Sequence, residues 1–209
     1  MSALLPLSRL IDALTERIGR FMMYLILLTT LISAGNAIVR KVFQVGSNAW
    51  LEIQWYLFAA VFMLGLGYAF LKNVHVRIDF LSSRFTSRTR NIIDIAGILI
   101  FVFPLCWMMV DLSWPLFHNA WVSGETSSNA GGLIRWPIYA LIPAGFVLLA
   151  IQSVSELIKR LAFLTGAGSD PLGHEGPSEE EELLKALQAE QAANVGATAH
   201  ANGTAAKVN

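Results

Sequence analysis

The sequence predicts an all-α membrane protein: four transmembrane helices, with an N-terminal amphipathic helix at the membrane interface. Three observations predict it. Four apolar runs, Phe21–Val39, Trp50–Leu71, Ile92–Leu112 and Pro137–Leu157, are each long enough to cross a bilayer. At about 1.5 Å per residue, roughly 20 helical residues cover the ~30 Å hydrocarbon layer. Almost no charge lies within any run. The whole chain is 55% hydrophobic and only 14% charged, whereas soluble domains carry about 25% charged residues. Backbone groups in lipid must be satisfied internally, so these runs are expected to be helices.

Residues 1–20 come first. Leu7, Leu10, Ile11, Leu14 and Ile18 recur at helical spacing, with Arg9, Asp12, Glu16, Arg17 and Arg20 off that stripe. This predicts an amphipathic helix lying on the membrane surface or against a partner, rather than a short solvated leader. The transmembrane domain is expected over 21–164. Its first run is too long for a signal h-region and is followed by Arg40 and Lys41, not by a small-residue cleavage site. The short link 40–49 makes spans one and two an antiparallel hairpin. The link 72–91 is basic and partly apolar, which suits contact with anionic membrane lipids. The link 113–136 carries Trp114, Trp121 and Trp136 and a Gly/Ser-rich stretch. Pro104 and Pro115 are expected to kink the third span, and Pro143 the fourth. Residues 165–209 read as a polar, largely disordered cytoplasmic tail. Within it, SEEEELLKALQAEQAA has the pattern of a short acidic helix capped by Ser178.

Orientation follows from the positive charges. With both termini inside, the inner segments hold Arg9, Arg17, Arg20, Lys72, Arg77, Arg84, Arg88, Arg90, Lys159 and Arg160, ten in all. Arg40, Lys41 and Arg135 are the three outside. Both termini are therefore expected in the cytoplasm. The formal net charge is zero, so no bulk field suggests nucleic acid.

Few residues carry chemistry. Asn36, Arg40 and Glu52 lie near the outer end of the first hairpin at similar depth. An intramembrane carboxylate is expensive unless paired, so an Arg40–Glu52 ion pair at a subunit seam is expected. The alternative is Arg40 as a positional anchor, with Glu52 reaching the headgroups. His75, Arg77 and Asp79 alternate, which puts them on one edge of an extended segment. Further metal ligands are missing nearby, so a polar interfacial edge is the expectation, and no metal. Trp107, Trp114 and Trp121 recur every seven residues, with Asp111 between the first two. An aromatic belt explains such a pattern, but Trp107 and Asp111 lie deep enough to be expected to face protein. Gly65 and Ala69, with Gly67 nearby, allow close helix approach. The single cysteine, Cys106, is expected to be packing. The sequence has no paired mid-membrane histidines for haem, no phosphate loop, no nucleophile elbow and no CxxC. No cofactor and no enzymatic activity are expected. Charge-poor spans make a poor ion path, so the residues point to an accessory subunit whose partner carries the function.

Certain segments are familiar. NAIVRKVF (Asn36–Phe43, with Arg40), NAWLEIQWYLFAAVFMLG (Asn48–Gly65, with Glu52) and HVRID (His75–Asp79) together resemble the small membrane subunit of tripartite ATP-independent periplasmic (TRAP) transporters. The segment Ser123–Gln152, with Glu125, Trp136, Pro137 and Pro143, looks like the fourth-helix region of the mannitol/chloroaromatic branch. The likeness spans residues 20 to about 160 and leaves out the acidic tail. It implies a bacterial inner-membrane complex. In it a periplasmic substrate-binding protein delivers a small solute, commonly an organic acid, and a large multi-span permease subunit moves it with a sodium gradient. The small subunit would be a scaffold for the large one, without substrate or sodium sites. The Trp121-bearing link would then be a candidate contact for the binding protein. A membrane-anchor subunit of an oxidoreductase complex is the alternative, and a stand-alone channel is disfavoured by the apolar midplane.

Overall fold

The computed structural model describes residues 4–44, 46–73 and 85–168, together with 171, 187 and 188. Five α-helices fill it: α1 Leu5–Phe43, α2 Asn48–Leu71, α3 Ser87–Gly97, α4 Phe103–Ser123 and α5 Trp136–Leu164. A π-helical turn, Ile98–Val102, joins α3 to α4 as one 37-residue rod. The four rods are each long and apolar enough to cross a membrane. Among the described residues there are no strands, only an isolated antiparallel bridge between Thr126 and Ile134. Residues 1–171 form one compact unit and 172–209 another, in which Leu187 and Gln188 are helical. His75, Arg77 and Asp79, most of the basic link and nearly all of the tail lie outside the described residues.

The expected boundary at residue 20 is not a break. α1 is continuous over 39 residues, about 58 Å at the standard rise. Pro6 sits at its start, where a missing N–H costs nothing. No proline follows to interrupt it, and it ends at Gln44 in a left-handed conformation with Arg40 and Lys41 in its last turn. Those two cations suit the negative end of the helix dipole.

Contacts fix the directions. Ser33 meets Gln54 and Glu16 meets Lys72, so α1 and α2 are antiparallel. Met63 lies beside Gly145 and Gly67 beside Leu148, so α2 and α5 run parallel. Asp94 meets Arg160 and Trp121 meets Trp136, so the α3–α4 rod is antiparallel to α5. The turns 44–47 and 124–135 therefore share one end of the bundle, the loop end. Leu5, Leu71, Ser87 and Leu164 mark the opposite, amino-terminal end.

Packing is inverted relative to a soluble bundle. The buried face of α1 is Ser8, Thr15, Gly19, Met22 and Thr29, while Leu7, Leu10 and Leu14 point away from the protein. Lipid tails are as apolar as leucine, so no hydrophobic force draws leucines inward, and small and polar residues mediate close approach. Gly19 lies under the Tyr68 ring. A Cβ on Gly145 would come within 2.5 Å of the Met63 carbonyl oxygen, and one on Gly67 within 3.4 Å of that of Leu148. Gly65, expected as part of a packing motif, faces open space. The motif's neighbour is the working glycine, because only Gly67 points at α5.

The buried stripe of the third rod is Asn91, Ile98, Cys106, Ser113 and Ala120. Its spacings are seven, eight, seven and seven residues. The one longer step coincides with the π turn, where the Phe103 N–H donates to the Ile98 carbonyl. The wider π turn absorbs the extra residue, so both halves still face α5. Pro104 follows directly, so the expected proline disturbance is realised here as a π turn.

Candidate functional site

Polar side chains gather at two levels. At the loop end, Asn48, Glu52 and Tyr56 lie at four-residue spacing on one face of α2. Asn48 Nδ2 donates to the Ala130 carbonyl at 3.0 Å and the Tyr56 hydroxyl to the Ile134 carbonyl at 3.2 Å. Between them the Glu52 carboxylate is buried. It accepts from Ser127 Oγ, from Asn129 Nδ2 at 2.9 Å and from the Leu133 N–H at 2.6 Å. Charge-assisted bonds of this kind are about twice as strong as neutral ones. They hold the 124–135 turn as a folded cap. Its own bonds are Ser127 N–H to the Leu133 carbonyl and Arg135 N–H to the Glu125 carbonyl, each 2.9 Å. Gly131 takes a positive φ of 71°, a conformation that glycine alone adopts freely. Gly132 sits so near Ser127 and Glu52 that a Cβ would collide with both. The Gly/Ser content of this link thus serves a defined turn around a carboxylate.

This overturns the expected Arg40–Glu52 pair. Glu52 faces the 124–135 turn, and among the described residues Arg40 has no ion pair. Arg40 is exposed on α1 beside a surface cleft of about 400 Å³ that Asn36 and Gln54 also line. Asn36 borders a second, apolar cleft of about 420 Å³ with Leu31, Gly35 and Trp50. Glu125 pairs with Arg135 at 3.6 Å, and the Arg135 guanidinium donates to the Tyr139 hydroxyl at 3.1 Å. Trp121 stacks edge to face on Trp136, with centroids 4.5 Å apart, and remains half exposed.

The second level, at the amino-terminal end, escaped the sequence reading. Asp12 of α1 accepts from Gln152 Nε2 at 2.9 Å and Ser155 Oγ at 2.7 Å, and pairs with Lys159 at 3.1 Å. Thr15 donates to Gln152 at 2.7 Å and Ser8 meets Ser155 at 2.8 Å. Glu156 pairs with Lys159 and with Arg160, and Arg160 reaches Asp94 of α3 at 3.2 Å. Arg160 is only 4% exposed. At the same end Lys72 pairs with Glu16 at 2.7 Å, and that hydrogen bond raises the lysine above its ordinary range. The signal available in the sequence was the helical spacing of Gln152, Ser155, Glu156 and Lys159, which matches a single helix face.

Trp107 and Asp111 were expected to face protein. Among the described residues no other helix covers them. Trp107 is 78% exposed, and Asp111 is exposed without a hydrogen-bond or ion-pair partner among the described residues. The reason is rotational: the face toward α5 belongs to Cys106, Ser113 and Ala120, roughly a third of a turn from Trp107 and nearly half a turn from Asp111.

Among the described residues no cluster of His, Cys, Asp and Glu is arranged to hold a metal ion. The carboxylates of both levels are engaged in bonds between helices and turns. The site residues thus act as interhelical locks.

Comparison with individual curated proteins gives no match. The family model described as "Tripartite ATP-independent periplasmic transporters, DctQ component" matches residues 29–163, which takes in the last part of α1, from Thr29, and essentially all of the other three rods. It gives no support to an oxidoreductase anchor. The chain is therefore a multi-pass membrane protein of the DctQ family, a family of TRAP-transporter components rather than of enzymes.

Proposed function

We propose that this chain is the small permease subunit of a sodium-coupled TRAP transporter and scaffolds the large transport subunit during uptake of an organic acid or similar solute. The family works in a tripartite transporter with a large permease and a periplasmic binding protein. One observation carries the scaffold role: the buried carboxylates are consumed by internal bonds, while apolar surface covers the outside of every rod. A chain built this way offers no polar path through its middle, so transport belongs to its partner.

The protein sits in the bacterial inner membrane with both termini in the cytoplasm. The ten-to-three distribution of basic residues supports this. Lys159 and Arg160 are paired with acids, but orientation depends on Lys and Arg rather than net charge. The mannitol/chloroaromatic branch rests on the likeness of Ser123–Gln152, with Glu125, Trp136, Pro137 and Pro143, alone. The folded 124–135 cap, with half-exposed Trp121 beside it, is the proposed contact for the binding protein. Crosslinking from residues 119–128 to docked binding protein supports that contact, and silence at every position while controls on the large subunit react removes it.

Reconstitution tests the whole reading. Liposomes holding this chain, the large subunit and the binding protein should take up solute under a sodium gradient, and omission of this chain should abolish uptake. Uptake by this chain alone would overturn the scaffold role.

A further inference from the structure

Asp111, on the third rod, has no hydrogen-bond or ion-pair partner among the described residues. Asp111 lies ten residues before Trp121 on α4, about 15 Å along the axis. Trp121 and Trp136 form the aromatic pair at the loop end, the level at which tryptophans mark a membrane–water interface. Asp94 pairs with Arg160 and Trp121 with Trp136, so Asp111 lies level with about Gly145 of α5; this shifts the third span outward from the expected Ile92–Leu112 and puts Asp111 near the middle of a ~30 Å layer. It points away from α5 and has no hydrogen-bond or ion-pair partner among the described residues.

The backbone adds to this. Residue 115 is a proline inside the helix, so the Asp111 carbonyl loses its normal i+4 donor. One residue thus presents a carboxylate and an undersatisfied carbonyl together. A carboxylate on a lipid-facing helix is expensive unless it is paired. Around it, Trp107, Met108, Leu112 and Trp114 are all exposed, and Trp107, Asp111 and Trp114 share one face at four- and three-residue steps.

We propose that this face of α4 docks the larger membrane subunit by receiving a membrane-spanning helix that carries an arginine or lysine opposite Asp111. The inference rests on the scaffold reading above and names the surface that serves it. Charge complementarity selects the occupant. Lipid tails offer no donor, and a second copy of the same face would set two carboxylates against each other. A guanidinium or ammonium group has donors enough for the carboxylate and the adjacent carbonyl.

The test uses the assembled complex purified through a tag on this chain. Asp111→Lys should lower recovery of the large subunit about tenfold or more, as inversion of one member of a buried ion pair requires, and Asp111→Glu should retain it. Asp111→Lys expressed alone should keep wild-type helicity and elution volume, which separates lost docking from lost folding. A benzophenone amino acid placed at Met108 or Leu112 should crosslink to the large subunit, and one placed at Tyr24 on α1 should not. Wild-type recovery with Asp111→Lys overturns the proposal. So does crosslinking of 108 and 112 only to lipid or to a second copy while Tyr24 captures the large subunit; the scaffold reading then survives with a different face. If the wild-type chain recovers no large subunit at all, both readings fall.

Discussion

Glu52 shows how one carboxylate can hold a turn. Its oxygens satisfy two side chains and a backbone N–H of the 124–135 cap. Glu52→Ala leaves the part-buried Leu133 N–H without its acceptor and should loosen the cap. The measurable outcome is faster proteolysis within 124–135, with helicity unchanged. Arg40→Ala should add to that effect without coupling, since the two side chains do not meet, and a double-mutant cycle reads this directly. Gly132→Ala should resemble Glu52→Ala, because a methyl at 132 collides with Ser127 and the carboxylate. That Glu52 needs a partner was legible from its place in an apolar span. Which partner was not, because Ser127, Asn129 and Leu133 converge only after the turn at Gly131 has formed, more than 70 residues away in the chain.

Between helices, glycines and buried ions set the spacing. Gly145→Leu drives a side chain into the Met63 carbonyl and should separate α2 from α5, seen as loss of monodisperse protein after extraction. Gly65→Leu, on an open face, should be tolerated. Truncating Arg160 removes a buried cation from beside Glu156, which keeps Lys159, and from beside Asp94. Arg160→Ala should cost about 3–5 kcal/mol, read as a fall in thermal stability of the purified chain that the Arg160→Ala/Glu156→Ala pair partly restores. Sequence patterning exposed the apolar stripe of α1 but assigned it to an interfacial helix. The polar stripe on the same helix is what meets α5, through Ser8, Asp12 and Thr15. A periodic apolar face identifies a core in water; in lipid it identifies the solvent side, and the helix itself was legible while its buried face was not. Lys159 and Arg160 were read as interfacial positives because their acidic partners lie on other helices or one turn back.

For the whole molecule, the count and order of spans were legible from length and charge alone, since the bilayer dictates both. Placement in the membrane is checked by impermeant thiol labelling. A cysteine introduced at Asn119 should react from the periplasm and one at Ser82 should not; the reverse pattern would invert the topology. The π turn has a further consequence. The third rod behaves like a shaft keyed at both ends, with Asn91 and Asp94 at one and Cys106, Ser113 and Ala120 at the other. The eight-residue step between Ile98 and Cys106 is the key that aligns them. Substitutions within Ile98–Val102 leave that alignment intact. Removal of a single residue from the turn leaves a seven-residue step, which in a plain α-helix returns to within about 20° of the same bearing. Both halves then still face α5 and Asp111 keeps its direction. A one-codon deletion at this point should therefore leave the complex assembled, whereas the same deletion in the plain helix between Cys106 and Ser113, which turns one half by about 100°, should disconnect it.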